Sequence, residues 1–144
     1  QHAFTFRNGT GQLDGFLYLK IEEGPVLDTV PELPSSRRLK VGTFKINPHG
    51  TRLGERFMKR AFDVALEQCV TGLYVTIFDK HAALVELFER YGFRKKGVKR
   101  SPNGEELVLE RRLDIVVGDV VQDYPRIPLL DDRHFIMSLM RVCH

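Results

Sequence analysis

A glycine-bearing turn that joins an apolar strand to an amphipathic helix is the feature that most constrains the fold of this chain. Residues 39–46 carry β-branched and large apolar side chains, and Pro48 ends this strand pattern. From Leu53 onward, apolar residues recur at helical i, i+4 spacing. The first amides of a helix lack backbone partners, and the helix dipole places partial positive charge beside them. The turn at residues 48–55 therefore suits a phosphate or pyrophosphate.

The two glycines of this turn, Gly50 and Gly54, also have a purely structural interpretation. They would allow a tight turn and a close approach between helix and strand, with no ligand involved. A short glycine motif does not separate the two interpretations, so the rest of the chain has to decide between them.

The order of the remaining elements predicts the fold class. Strand patterns cover residues 1–7, 16–21 and 73–78, a second helix covers about 81–91, and a hairpin turns at 101–104. Residues 24–36 contain three prolines and are interpreted as a loop that could border a cleft. Together these elements predict an α/β (α+β) fold, with a mixed, twisted central sheet and helices packed on it.

Two motifs resemble those of the GNAT (N-acetyltransferase) superfamily. Residues 49–54, His-Gly-Thr-Arg-Leu-Gly, resemble the family's acyl-coenzyme A signature Arg/Gln-x-x-Gly-x-Gly/Ala, although His49 and Arg52 depart from it. Residues 87–93, Leu-Phe-Glu-Arg-Tyr-Gly-Phe, resemble the Leu-Tyr-x-x-x-Gly-Phe that ends the family's second helix. The resemblance covers residues 1–113 and implies a GNAT-like acetyltransferase domain. The family's first strand and two helices have no counterpart, so the chain resembles an N-terminally incomplete fragment.

The resemblance implies an acetyl-CoA-dependent N-acetyltransferase that transfers an acetyl group to a primary amine of unknown identity. In the family, the pantetheine arm of acetyl-CoA pairs with the backbone of the cofactor-facing strand, and the pyrophosphate rests on the amides of the following turn. A strand amide near Phe44 or Lys45 would stabilise the oxyanion. The cofactor-binding residues implied are Phe44, Lys45, Ile46, Asn47, His49, Gly50, Thr51, Arg52, Leu53, Gly54 and Glu55.

The catalytic groups are less well indicated. Phe88 aligns with the tyrosine that many family members use as a general acid, and phenylalanine has no proton to give. Tyr91, Asp79 and His81 are the remaining candidates, although Tyr91 also suits packing and the other two also suit helix capping. No general base is indicated, because strand 39–46 contains no carboxylate.

Composition excludes several classes of protein. A hydrophobic content of 42% indicates a globular chain, and two cysteines are too few for a disulfide framework, which favours a reducing cytoplasm. No run is long enough to span a membrane, and histidine and cysteine spacing does not indicate a metal site. The net charge of +3 is too small for a dedicated nucleic-acid binder. Five cations in residues 94–100 are either a solvated strand end or a patch for RNA or an acidic partner.

The last segment, residues 114–144, is interpreted as a C-terminal extension or a linker to a further domain. Its prolines are typical of a connector, while its apolar residues would suit covering a sheet edge or forming a homodimer. Two other functions stay open beside the acetyltransferase. One is a catalytically degenerate acyl-CoA-binding sensor, and the other is an RNA- or partner-binding module of a larger protein.

Overall fold

The computed structural model describes residues 2–7, 10–46 and 53–114. Their elements, in chain order, are β1 (His2–Arg7), β2 (Leu13–Val26), β3 (Leu33–Ile46), α1 (Leu53–Glu67), β4 (Gly72–Phe78), α2 (Ala82–Arg90), β5 (Arg94–Ser101) and β6 (Gly104–Arg112). The predictions on residues 47–52 and on the extension from 115 onward lie outside the described residues.

All the named strands belong to one six-stranded sheet with the order β1-β2-β3-β4-β6-β5. The β3–β4 pair is parallel, and the other pairs are antiparallel. The parallel pair needs a crossover, which α1 provides. The predicted mixed sheet with packed helices is therefore confirmed.

The main core lies between one face of the sheet and the two helices, and this face is called the helix face below. α1 buries the stripe that its sequence spacing predicts, which includes Leu53, Phe57, Ala61 and Ala65. The strands meet it with alternate residues, which are Leu17, Leu19, Leu39, Val41, Leu73 and Val75. Each fully buried leucine or valine side chain contributes roughly 1.5–3 kcal/mol to this packing.

The predicted loop at residues 24–36 is wrong for most of its length. β2 continues to Val26 and β3 begins at Leu33, which pair with each other, so only residues 27–32 form the connection. Val26 and Leu33 are buried with Tyr74 and Val108 in a second, smaller core on the opposite face of the sheet. This burial accompanies extended structure at Pro25 and Pro34, a tertiary effect that local composition does not reveal.

The tip of the β2–β3 hairpin crosses this opposite face and reaches the edge strand β5. The amide of Val30 donates to the carbonyl of Val98 at 2.7 Å, and the amide of Val98 donates back at 3.0 Å. Gly97 makes the approach possible, because a Cβ there would lie 2.4 Å from the carbonyl oxygen of Val30. The ammonium of Lys99 lies 2.8 Å from the Asp28 carboxylate at the same contact.

Candidate active site

The parallel strands β3 and β4 pair over only part of their length. Their register runs from Arg38–Gly72 to Val41–Val75 and stops there, although both strands continue. At the same level the β2–β3 register shifts, since Tyr18 pairs with Thr43, Leu19 pairs with Val41, and the residue between is left out. Such a bulge bends a strand and increases its twist. β3 is therefore directed away from β4 at this point.

The bulged residue is Gly42, and its lack of a side chain is required. A Cβ at this position would lie 2.7 Å from a ring carbon of Tyr18, well inside contact distance. The bulge at the start of the separation therefore requires glycine at this position, which was not among the residues that the sequence analysis singled out.

The separated strands enclose a cleft of about 1120 Å³. Its walls come from the start of β2, the separated ends of β3 and β4, and the first turns of α2, and they comprise residues 13–16, 41–46, 75–78, 80–84 and 87. Beyond Val41, β3 pairs with β2 on one side and borders the cleft on the other. Backbone donors and acceptors of β3 on that side can hydrogen-bond to an extended ligand, which would take the place of a neighbouring strand.

The first turn of α1 lies beside one end of this cleft. At Gly54, a Cβ would be 3.0 Å from Leu87 of α2 and 3.3 Å from Ile46 of β3, and both of these residues line the cleft. Gly15 of β2 is another cleft residue, and a Cβ there would lie 2.7 Å from the Leu53 side chain. The amides and the positive dipole end of a 15-residue helix are therefore brought to the cleft.

The structure places the predicted cofactor-binding residues as follows. Phe44, Lys45 and Ile46 line the cleft, and Leu53 and Gly54 adjoin it. Glu55 lies on α1 with its carboxylate 3.6 Å from the guanidinium of Arg90. The other members of the predicted set, Asn47, His49, Gly50, Thr51 and Arg52, lie outside the described residues.

Of the three predicted catalytic candidates, only His81 lines the cleft. It is exposed and is the N-cap residue of α2, yet its side chain makes no capping hydrogen bond. Asp79, the better capping type, is exposed, lies before the N-cap position and does not line the cleft. Tyr91 is buried in the main core with its ring 6.4 Å from that of Phe62. The structure therefore does not bring these three side chains together.

Position 88 lies directly behind the cleft wall. The Phe88 ring is fully buried and packs edge-on against Phe44 at 5.2 Å and against Phe93 at 4.8 Å. Phe44 is itself a cleft residue, so Phe88 supports the wall through packing and contributes no proton. Among the described residues, no tyrosine lines the cleft.

Tyr74 has a structural role on the opposite face of the sheet. Its hydroxyl donates a hydrogen bond to the carboxylate of Glu22, and the ammonium of Lys40 lies 5.8 Å from its ring centroid. Burial, and secondarily the bond to Glu22, raise the pKa of Tyr74. This phenol therefore stays protonated and is held away from the cleft.

Four cleft residues with polar side chains were not singled out by the sequence analysis, and they are Asp14, Thr43, Thr76 and Lys80. Asp14 is a carboxylate with only 6% exposure at the start of β2, and Lys80 lies between β4 and α2. Thr76 of β4 lines the cleft, and its hydroxyl donates to the Glu106 carboxylate of β6 at 3.4 Å. The alternation of residues along β4 is a sequence signal that could have predicted Thr76 on the face opposite the helices. Its hydrogen bond with Glu106 could not be predicted in this way, because it depends on the register between β4 and β6.

The basic run on β5 faces a row of glutamates on β6. The register places Arg94 opposite Glu110, and the adjacent Lys99 and Arg100 opposite Glu106 and Glu105. Cross-strand pairs of opposite charge stabilise a sheet modestly. The Lys99 ammonium is held by Asp28, which gives this member of the run a structural role.

Comparison with solved structures shows which fold this is. Nourseothricin acetyltransferase matches with a TM-score of 0.60 at 20% identity, over 76% of this chain and 64% of its own. The ribosomal-protein-S18-alanine N-acetyltransferase from Escherichia coli matches with 0.53 at 16% identity, over 81% and 73%. A GNAT superfamily phosphinothricin acetyltransferase from Sinorhizobium meliloti, in complex with AcCoA, matches with 0.56 at 11% identity, over 92% and 70%.

The chain therefore has the GNAT fold, which is the fold that the resemblance implied. It spans less than two thirds of the length of nourseothricin acetyltransferase. No protein-family model and no curated protein matches the sequence.

Residues 2–7, 10–46 and 53–114 contain no metal-binding cluster and no membrane-spanning helix. In these segments no group of three or more histidine, cysteine, aspartate or glutamate side chains is arranged to hold a metal ion. None of the helices there is long and apolar enough to cross a membrane.

Proposed function

We propose that this chain is an acetyl-CoA-dependent N-acetyltransferase that transfers an acetyl group to a primary amine. The observation that supports this most is the cleft that starts at the Gly42 bulge and ends beside the first turn of α1. It combines unpaired strand backbone for an extended pantetheine arm with helix amides for a pyrophosphate. Proteins with the same fold whose structures hold AcCoA or CoA make this ligand the natural candidate.

In this proposal, the pantetheine arm lies along residues 42–46 and the pyrophosphate rests on the amides of residues 49–55. The thioester then lies near the point where β3 and β4 separate. The amine attacks its carbonyl carbon, and a backbone amide near Phe44 or Lys45 stabilises the oxyanion. Much of the rate enhancement comes from holding amine and thioester at reacting distance. In this proposal, His81, the predicted candidate that lines the cleft, passes a proton to the departing thiolate.

The test has two steps on the intact chain. Calorimetric titration with acetyl-CoA should give saturable binding to one site, and release of free thiol should then depend on an added primary amine. A panel of amines that ranges from polyamines to peptides with a free N-terminus would identify the acceptor class. Absence of acetyl-CoA binding would refute the proposal.

A second function is favoured by one specific observation. Phe88 occupies the position at which many family members have a proton-donating tyrosine, and it is sealed in an aromatic cluster. A chain that binds acetyl-CoA but releases no thiol with any amine of the panel would be an acyl-CoA sensor. The two steps of the test therefore separate the enzyme from the sensor.

A further inference from the structure

The hydroxyl of Thr76 connects the cleft to a carboxylate outside it. Val75 and Ile77 of β4 belong to the core on the helix face, so Thr76 and Phe78 lie on the opposite face by alternation. Both Thr76 and Phe78 also line the cleft, just beyond the last residue pair between β3 and β4. Glu106 pairs with Phe78 on the neighbouring strand, and its carboxylate accepts the hydrogen bond from Thr76.

This side of the cleft is the one from which an acceptor can reach the thioester. An acyl-CoA whose pyrophosphate binds at the start of α1 enters from the helix face, where α1 and α2 pack. The amine must then approach from the opposite face, where Thr76 is the first hydroxyl that it meets on β4. This step rests on the function proposed above.

The Glu106 carboxylate lies within hydrogen-bond reach of the Thr76 hydroxyl at the cleft. It is half-buried, and within the described part of the chain the Thr76 hydroxyl is its hydrogen-bond partner, with no cation within 4.0 Å. Lys99 lies opposite Glu106 in the register, but its ammonium is held 2.8 Å from Asp28. A carboxylate that accepts one hydrogen bond keeps further lone pairs for a proton.

We propose that Glu106 is the terminal proton acceptor of the acetyl transfer, reached through the hydroxyl of Thr76. A primary amine arrives mainly as an ammonium ion, which has no lone pair for attack. One ammonium proton passes to the Thr76 oxygen as the Thr76 proton passes to Glu106. The freed nitrogen attacks the thioester carbon, the C–N bond forms and the C–S bond breaks. The second proton goes to the departing thiolate, and Glu106 returns its proton to water.

This proton path predicts a dependence on the basicity of the acceptor. Benzylamine is largely an ammonium ion at neutral pH, whereas methoxyamine is largely neutral and can attack without losing a proton first. Glu106→Gln keeps the shape and the hydrogen bond from Thr76 but cannot take the proton. It should lower kcat/KM for benzylamine about 100-fold, within the usual contribution of general-base catalysis, and lower that for methoxyamine far less.

Three further variants give the controls. Glu105→Gln removes a carboxylate from the adjacent, exposed position of β6 and should leave both rates near those of the parent. Thr76→Val should reproduce the selective loss with benzylamine, and Thr76→Ser should restore the rate, because serine keeps the hydroxyl.

The outcomes separate this inference from the proposed function. Equal losses with both amines in Glu106→Gln would indicate a structural effect and overturn the inference alone, as would no loss with either. A parent chain that binds acetyl-CoA but releases no thiol with these two amines or with any amine of the panel overturns the inference together with the transferase proposal. Acetyl-CoA titration of every variant shows that the cofactor site is intact.

Discussion

At the scale of single residues, the most consequential interaction is a buried ion pair beside the parallel strands. The Nε atom of Arg38 lies 3.0 Å from Oε2 of Glu110, with side-chain exposures of 5% and 9%. Arg38 also donates to the carbonyl of Pro34 at 2.6 Å. The pair links β3 to β6 across the intervening strand β4.

Arg38→Met should lower the free energy of unfolding by about 3–5 kcal/mol, because it leaves the Glu110 carboxylate buried without a partner. Urea unfolding monitored by circular dichroism measures this loss. The double variant Arg38→Met/Glu110→Leu is the control and should recover most of the stability, since it removes both charges. A single variant as stable as the parent would show that water reaches Glu110.

The ion pair at the hairpin tip gives a pH dependence. The hydrogen bond from Lys99 outweighs burial and lowers the pKa of Asp28 below its ordinary 3.8, and the same bond raises the pKa of Lys99 above 10.5. Asp28 therefore contributes stability above its ordinary pKa and loses it as the pH falls through its lowered value. Lys99 contributes below 10.5 and loses it as the pH rises through its raised value.

Lys99→Met should cost about 0.5 kcal/mol of unfolding free energy at neutral pH, the scale of a partly exposed pair. The difference from the parent should vanish in acid, once Asp28 is protonated. Lys95→Met, an exposed lysine on the same strand, is the matched control and should show no such pH-dependent difference. Urea titrations at several pH values measure both, and a difference that persists in strong acid would contradict the assignment.

At the scale of elements, the first turn of α2 forms one wall of the cleft. A larger side chain on this turn would block the cleft without changing the core. Ala83 is exposed on this helix and lines the cleft, so Ala83→Trp would fill the path proposed for the pantetheine arm. We expect acetyl-CoA affinity to fall at least tenfold, about 1.4 kcal/mol, while the fold is kept. Calorimetry measures the affinity and circular dichroism the fold.

The matched control uses the same helix. Glu89→Trp introduces the same side chain at an exposed position that does not line the cleft, and it should bind acetyl-CoA as the parent does. If the two tryptophan variants bind with equal affinity, acetyl-CoA does not occupy this cleft.

Local patterns predicted the elements whose packing follows from their own sequence. Strand 73–78, the helix from Leu53 and the hairpin at 101–104 were predicted correctly, because their periodicity and turn residues agree with their environment. The segment 24–36 was predicted wrongly, because distant contacts with Tyr74 and Val108 decide its conformation. The bulge at Gly42 and the Thr76–Glu106 bond depend on register between strands, which no local pattern encodes.

At the scale of the whole molecule, the sheet consists of two three-stranded halves whose strand-to-strand junction is short. β1, β2 and β3 form one half, and β4, β6 and β5 form the other. The strands at the junction share four residue pairs, from Arg38–Gly72 to Val41–Val75, whereas β4 and β6 share seven. The ligand proposed here would lie in the cleft where this junction opens.

Acetyl-CoA should therefore act as a bridge between the two halves. Ligand at 100 times its dissociation constant stabilises the folded state by about 2.7 kcal/mol, so the melting temperature should rise with its concentration. Amide exchange should slow most in residues 42–46 and 76–78, where the ligand would complete the sheet.

The turn end of the β5–β6 hairpin supplies the internal control for this experiment, because residues 100–105 pair with each other in an antiparallel register away from the junction. The amide exchange of these residues through local opening should change little when acetyl-CoA is added. In the Ala83→Trp variant, acetyl-CoA should no longer protect the amides at the cleft from exchange. Protection that appears equally in the hairpin and at the cleft would mean that the ligand acts only through global stability. In that case the two halves of the sheet would not be joined through the bound cofactor.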